Sequence, residues 1–278
     1  MRNGFADRAS KTLIYAILWL GVIVMIAPFI FMVVTSLEAS ANINLPYPPR
    51  FIPKEFTLSN YVQAMSVVPF GKYFYNSVVT GVSATVLQIF VSSLAAYAFA
   101  KGNFPGKNVL FVLLLATMMV PMQVTIIPMF DLMLRFRMIN TYWALILPVV
   151  PSAYSTFLLI QFMSSIPDEL IEAARIDGWS DWLIYRSLML PLSKPAIATI
   201  SMLTFVGIWN SFMWPLIVTS RQELYTLPLG LMNFRQQYTA QWGNLMAGAT
   251  IAVVPVIAVF LCAQKYIIEG IAVSGLKA

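Results

Sequence analysis

The sequence predicts an all-α membrane protein: six transmembrane helices, with a charged helical hairpin between the fourth and the fifth. Three observations predict it. Of the 278 residues, 59% are hydrophobic and 10% charged, and the mean hydropathy is +0.78, whereas a water-soluble domain carries about 25% charged residues. The charges leave six long gaps between them. The densest charge is confined to one short segment. The same composition excludes several function classes. With a single cysteine, Cys262, and no histidine, neither a disulfide framework nor the common zinc and haem ligand sets is available. The net charge of +6 is scattered between apolar runs, so it makes no basic stripe for nucleic acid.

A charge at the bilayer centre costs roughly 2.5–3.5 kcal/mol, so charge-free gaps show where spans can lie. They run 12–37, 73–100, 108–130, 138–167, 195–220 and 236–264. A helix needs about 20 residues to cross the hydrocarbon core, so each gap suffices for one crossing and none for two. The first gap follows Arg2, Arg8 and Lys11 and precedes Ala39-Ser40-Ala41, as in a secretory signal. Its apolar run from Leu13 to Val34 exceeds the roughly 7–15 residues of a signal core and is expected to stay as a span. Residues 38–72 read as a loop, including the shorter gap 56–71 with its Thr57, Ser59, Asn60 and Pro69.

The second gap pairs Gly81 with Thr85 and Ser92 with Ala96. Small residues four apart let helices approach closely in lipid, so this span is expected inside the bundle. Pro121, Pro128, Pro148, Pro151, Pro215 and Pro255 fall in spans three to six, where each removes a backbone donor and favours a kink. Six spans put both termini on one side. With that side inside, inner segments hold ten Lys and Arg against seven outside, a weak positive-inside bias.

Residues 166–194 hold the remaining element. Five acids fall between Asp168 and Asp181. Ser165 with Asp168 resembles a capping box, Pro167 suits a first turn, and Gly178 provides a left-handed stop. Trp179 to Leu190 forms a second helix ended by Pro191. On the first helix Leu170, Ala173, Ala174 and Asp177 share a narrow small face, flanked by Glu169, Glu172 and Arg175. Such a face admits close approach by a large partner; a solvated hairpin capping the bundle has the same composition.

Glu172-Ala173-Ala174, three residues, Gly178, nine residues, Leu188, one residue, Leu190-Pro191 resembles the EAA motif of ABC importer permeases, with Leu188 replacing the usual isoleucine. Ile166-Pro167-Asp168-Glu169-Leu170, Ile176-Asp177-Gly178, Trp209-Asn210, Trp214-Pro215-Leu216 and Tyr225-Thr226-Leu227-Pro228-Leu229-Gly230 resemble the carbohydrate-uptake, MalG-like branch. So do Pro48-Pro49, Pro53, Thr57-Leu58, Asn60-Tyr61 and Asn76-Ser77. The resemblance extends over almost the whole chain and implies a MalG/MetI-like permease fold. It implies a prokaryotic plasma (inner) membrane protein with a cytoplasmic N-terminus and first span in 1–37, an extracytoplasmic loop in 38–72, a five-span core in 73–264 and a cytoplasmic tail in 265–278. Both termini and the 166–194 loop are then cytoplasmic. The implied partners are a second homologous permease, two ATPase subunits that bind ATP and Mg, and an extracytoplasmic sugar-binding protein. Glu172, Ala173, Ala174 and Gly178 are carried over as ATPase-coupling residues, with Asp177 a flanking contact.

Catalytic and cofactor chemistry is not legible. Gly102 to Asn108 superficially resembles a phosphate loop, but its glycine spacing is one residue short and Asn108 replaces the magnesium-binding Ser or Thr. Hydrolysis is therefore expected on another chain. Polar residues within spans are few: Gln123 and Thr125, Tyr154 and Ser155, Asn210 and Ser211. With Trp209 and Phe212 they are candidates to line a sugar pathway, amides and hydroxyls for the polar groups and rings for the C–H faces. Interhelical hydrogen bonding uses the same residues. The 221–242 loop, with Tyr225, Phe234, Tyr238 and Trp242, reaches toward the binding protein in the family, and is otherwise a solvated loop. A secondary carrier would transport in an ion gradient without an ATPase; a membrane scaffold would hold partners but move no solute.

Overall fold

A computed structural model describes residues 3–43, 47–234 and 241–275, with side chains over 10–43, 47–234 and 241–266. Expectations for Arg2, Tyr238 and the end of the C-terminal tail fall outside the described residues. The helices are α1 (Asn3–Ser36), α2 (Ser59–Val67), α3 (Phe70–Lys101), α4 (Lys107–Met118), α5 (Met122–Arg135), α6 (Tyr142–Ile146) and α7 (Ala153–Ser164). There follow α8 (Glu169–Ile176), α9 (Asp181–Ile184), α10 (Leu190–Leu192), α11 (Lys194–Trp209), α12 (Met213–Val218), α13 (Leu227–Leu231) and α14 (Trp242–Gly275). Among the described residues no strand forms; Glu38 and Phe56 make one isolated bridge. The all-α expectation holds.

Three stretches are each long and apolar enough to cross a membrane: Ser10–Ser36, Phe70–Lys101 and Trp242–Tyr266. Three further candidates among the described residues are helix pairs bent at short breaks, by 102° between α4 and α5, 43° between Tyr142–Val149 and α7, and 76° between Asp181–Leu192 and α11; the last takes in the second hairpin arm and so differs from the span expected over 195–220, where α11 and α12 lie. Prolines lie at or beside these breaks. Pro121 caps α5 in extended conformation, where it has no N–H to continue α4. At the second break, beyond Pro151, the Ser152 hydroxyl takes over as N-cap, accepting the Ser155 N–H at 3.2 Å.

Two sequence expectations are corrected. Residues 56–71 are not all loop, because α2 forms within them. The Thr57 hydroxyl accepts the Ser59 N–H at 3.0 Å, and Asn60 and Ala64, one turn apart, share its buried face. Nor does Pro191 end the second hairpin helix. Tyr185–Met189 widens into a π turn in which the Leu190 N–H bonds the Tyr185 carbonyl, and the chain stays helical through Pro191 to Leu192. A π turn absorbs the ring clash and missing donor of a proline.

The chain divides into two compact units. The first, Met1–Phe70 with Leu231–Val253, is pinned by amides. Asn60 donates to the carbonyls of Ser36 and Glu38 at 3.0 and 2.9 Å, and Asn42 donates to Asn60 and Asn244 at 2.9 and 3.0 Å. Glu38 is buried just beyond α1. Burial pushes its carboxyl pKa up, but hydrogen bonds from the backbone of Lys54, the Ser40 hydroxyl and the backbone of Glu55 outweigh this and leave it below its ordinary value.

The second unit, Gly71–Gly230 with Val254–Ala278, is organised on α3. Within the chain 39% of its most apolar window is buried, against 0% for α1 and 11% for α14, so α3 is the inner helix expected. Ala84, Gln88, Ser92 and Ala96 mark its buried face at four-residue intervals. A Cβ at Gly81 would come within 3.0 Å of the Phe205 ring of α11, so glycine permits this helix contact.

Candidate functional site

The hairpin is built as two arms joined at Gly178. Its first arm starts differently from the expected capping box. Asp168 stands at the N-cap but caps nothing with its side chain, the Ser165 hydroxyl bonds the Phe162 carbonyl, and Pro167 lies before the first turn. The Asp168 carboxylate instead meets Lys101, at the end of α3, at 2.5 Å. The Lys101 side chain is 4% exposed and also donates to the Ile166 carbonyl at 2.6 Å. The hydrogen bond from Lys101 to Asp168, and then the ammonium charge, hold the Asp168 carboxyl below its ordinary pKa.

The arm ends as expected. Gly178 has φ +81°, its N–H bonds the Arg175 carbonyl at 3.0 Å, and the Trp179 N–H reaches back to Ala174 at 2.9 Å. This paired closure requires a left-handed residue. Apart from its chain neighbours, no described atom lies within 4 Å of where a Gly178 Cβ would stand, so backbone conformation, not space, favours glycine. Arg175 bridges to Asp181 at 3.1 Å, and the Ser180 hydroxyl accepts the Leu183 N–H at 3.3 Å, starting the second arm.

The faces of α8 separate the motif residues. Ile171 and Ala174 turn inward and join a core with Ala96, Leu159, Met163 and Ile184. Glu172, Ala173, Asp177 and Gly178 are exposed. Ala174, placed by the sequence on a surface shared with Ala173, is thus corrected to a core residue. The second arm also grips α3. Tyr185 is buried with its hydroxyl 2.8 Å from that of Ser93, and its ring lies 5.6 Å from Tyr97.

Farther along α3 is a cavity of about 340 Å³, bordered by residues of α3, α7, α11 and α12 among others. Of the candidate pathway residues, Tyr154, Ser155 and Ser211 line it. Gln123, Trp209, Asn210 and Phe212 do not. Trp209 is buried between Phe205 and Phe74, with ring centroids at 5.5 and 5.8 Å, Asn210 is the exposed C-cap of α11, and Gln123 is exposed on α5. The central polar residue is one that sequence reasoning missed. Gln88 donates to Ser155 at 2.7 Å and to Thr204 at 3.0 Å. As the lone amide in residues 77–100, it carried a signal that the small-residue pattern of the same helix masked.

Residues 88–273 match the family described as "Binding-protein-dependent transport system inner membrane component". The arabinooligosaccharides transport system permease protein AraQ of Bacillus subtilis (strain 168) is 40% identical over 206 residues, 74% of this chain and 73% of that protein. The diacetylchitobiose uptake system permease protein NgcG of Streptomyces coelicolor is 32% identical, over 94% of this chain and 87% of its own. The sn-glycerol-3-phosphate transport system permease protein UgpE of Yersinia enterocolitica is 37% identical over 73% of each. Among solved structures, a bacterial ABC transporter involved in the import of the acidic polysaccharide alginate superposes with a TM-score of 0.84 at 22% identity, covering 94% of this chain and 98% of that one. It shares the fold.

Proposed function

The chain belongs to the binding-protein-dependent transport system inner-membrane component family, and on that premise we propose that it carries a saccharide inward by alternating access, driven through the 166–194 hairpin. It is a permease component and not itself an ATPase. Six spans, the fifth running through α11 and α12 beyond the hairpin, are read with both termini and the hairpin in the cytoplasm of a prokaryote. The proposed division is 1–37, 38–72, 73–264 and 265–278. The partners are a second permease subunit, an extracytoplasmic sugar-binding protein and two ATPase subunits, which bind ATP and Mg.

One observation carries this reading. The outward face of the hairpin presents Glu172, Ala173, Asp177 and Gly178, while its inward side is tied at Lys101 and Ser93 to the helix that lines the cavity with Gln88. A push on the outer face therefore reaches α3 through a charged contact and a buried hydrogen bond. ATP binding that closes the ATPases moves the hairpin and opens the cavity outward; hydrolysis and release reset it. The direction of the shift follows whichever state the ATPases bind more tightly.

In proteoliposomes containing all subunits, saccharide uptake is expected to require both ATP and the binding protein. Uptake by this chain alone in a proton or sodium gradient would establish a secondary carrier instead. Assembly with partners but no solute movement would establish a scaffold.

A further inference from the structure

Two hydroxyls in the cavity are left unused by the fold. Thr80, on α3, and Thr226, just before α13, are 4% and 5% exposed and both line the cavity. Among the described residues neither Oγ1 has a hydrogen-bond partner. Helical threonines commonly settle on a carbonyl one turn back, as Thr156 does on Ser152, Thr199 on Pro195 and Thr250 on Met246, at 2.8–2.9 Å. Thr80 makes no such bond. Thr226 stands where a hydroxyl ordinarily accepts the N–H of the second or third residue of the following helix, yet Pro228 has no N–H to give and Thr226 Oγ1 takes none from Leu229. Buried polar groups are ordinarily satisfied, and an orphan points to an absent partner.

The surroundings define that partner. Among the described residues no Asp, Glu, Lys or Arg lines the cavity. An anion entering it would lose its hydration without a counter-charge, which is strongly unfavourable. Gln88 is already engaged with Ser155 and Thr204, which fixes a polar wall, and half-exposed Tyr154 offers a ring at the edge. The volume of about 340 Å³ lies at the small end of ligand sites, roughly 300–1,000 Å³. We propose that Thr80 and Thr226 form a hydroxyl-binding subsite through which this chain itself contacts an uncharged saccharide. The proposal rests on the importer reading and narrows its substrate to neutral sugars.

The test uses the complete importer with its binding protein in proteoliposomes, offered neutral di- and trisaccharides, oligogalacturonate and glycerol phosphate. Wild type is expected to carry a neutral sugar and neither anion. Thr80→Val and Thr226→Val keep the side-chain shape without the hydroxyl, and each is expected to raise the KM for uptake about tenfold, the worth of one hydrogen bond to a ligand. Thr80→Ser and Thr226→Ser, which restore a hydroxyl, are expected to recover uptake. Co-purification of each variant with the ATPase subunits reports its folding. An unchanged KM in the double valine variant, or uptake of an anion in preference to every neutral sugar, overturns the subsite. Absence of any ATP-dependent uptake by wild type overturns the importer reading itself, an outcome separate from either.

Discussion

Glu172→Lys is expected to leave the protein in the membrane and to abolish saccharide uptake, and Gly178→Asp is expected to do the same. Both residues lie on the open face of the hairpin and outside the α3 contacts that hold it. Glu172 makes no ion pair in the described chain, so reversing its charge removes nothing from the permease fold. On the proposed reading, what it removes is charge complementarity with a basic group of the ATPase. Losing one member of a docked charge pair costs about 2–5 kcal/mol, a loss of docking of roughly thirtyfold or more. Gly178→Asp acts by bulk and charge. Aspartate is among the side chains best tolerated in left-handed backbone, and its Cβ meets no atom within 4 Å. The free subunit therefore folds, while the surface gains an acid where an ATPase would close. ATP-dependent uptake, set beside the amount of subunit in the membrane, checks both. Normal uptake in both variants would remove the hairpin from the mechanism.

Lys101→Met is expected to break the connection on the inner side. Methionine retains much of the alkyl stem but not the ammonium that bonds Asp168 and the Ile166 carbonyl. Losing both bonds is expected to reduce transport roughly tenfold if α3 must follow the hairpin. The diagnostic quantity is ATP hydrolysed per sugar carried, expected to rise because the ATPases still dock and turn over. Asp168→Asn is milder, since Lys101 keeps the Ile166 carbonyl. The pH dependence has a definite sign. Because the Asp168 carboxyl is held below its ordinary value by Lys101, the pair is present above the usual carboxylate range and is lost as pH falls through the depressed value. Coupling through it is thus constant across neutral pH. An unchanged hydrolysis-to-transport ratio in Lys101→Met would show that α3 is driven by another route.

Elements with local causes were readable from residues alone. Charge-free gaps located the apolar helices, and the glycine after the Glu172-Ala173-Ala174 helix marked its left-handed turn, because lipid exclusion and backbone sterics act on short stretches. Features set by distant partners were not readable. Asp168 looks like a capping residue until Lys101, 67 positions earlier, is seen to claim its carboxylate. Ala173 and Ala174 are alike in composition, and which one faces the bundle depends on Leu159, Met163 and Ile184 behind it. The π turn before Pro191 carries the buried Tyr185, whose hydroxyl meets Ser93, a contact that no periodicity encodes. In the cavity, the apolar-looking second span hid Gln88 and Thr80, since the small residues that let helices pack share the face on which its polar side chains lie.

If the ATPase pushes on the outward face of α8, proximity cross-linking will find it there. With Cys262, the only cysteine, replaced by serine, a maleimide-benzophenone reagent is attached at Ala173→Cys in the assembled complex and photoactivated, with buried Ala174→Cys as the comparison. A covalent adduct with the ATPase subunit at position 173, and little or none at 174, is the result predicted. Failure of position 173 to cross-link to the ATPase in a complex that transports would contradict the account.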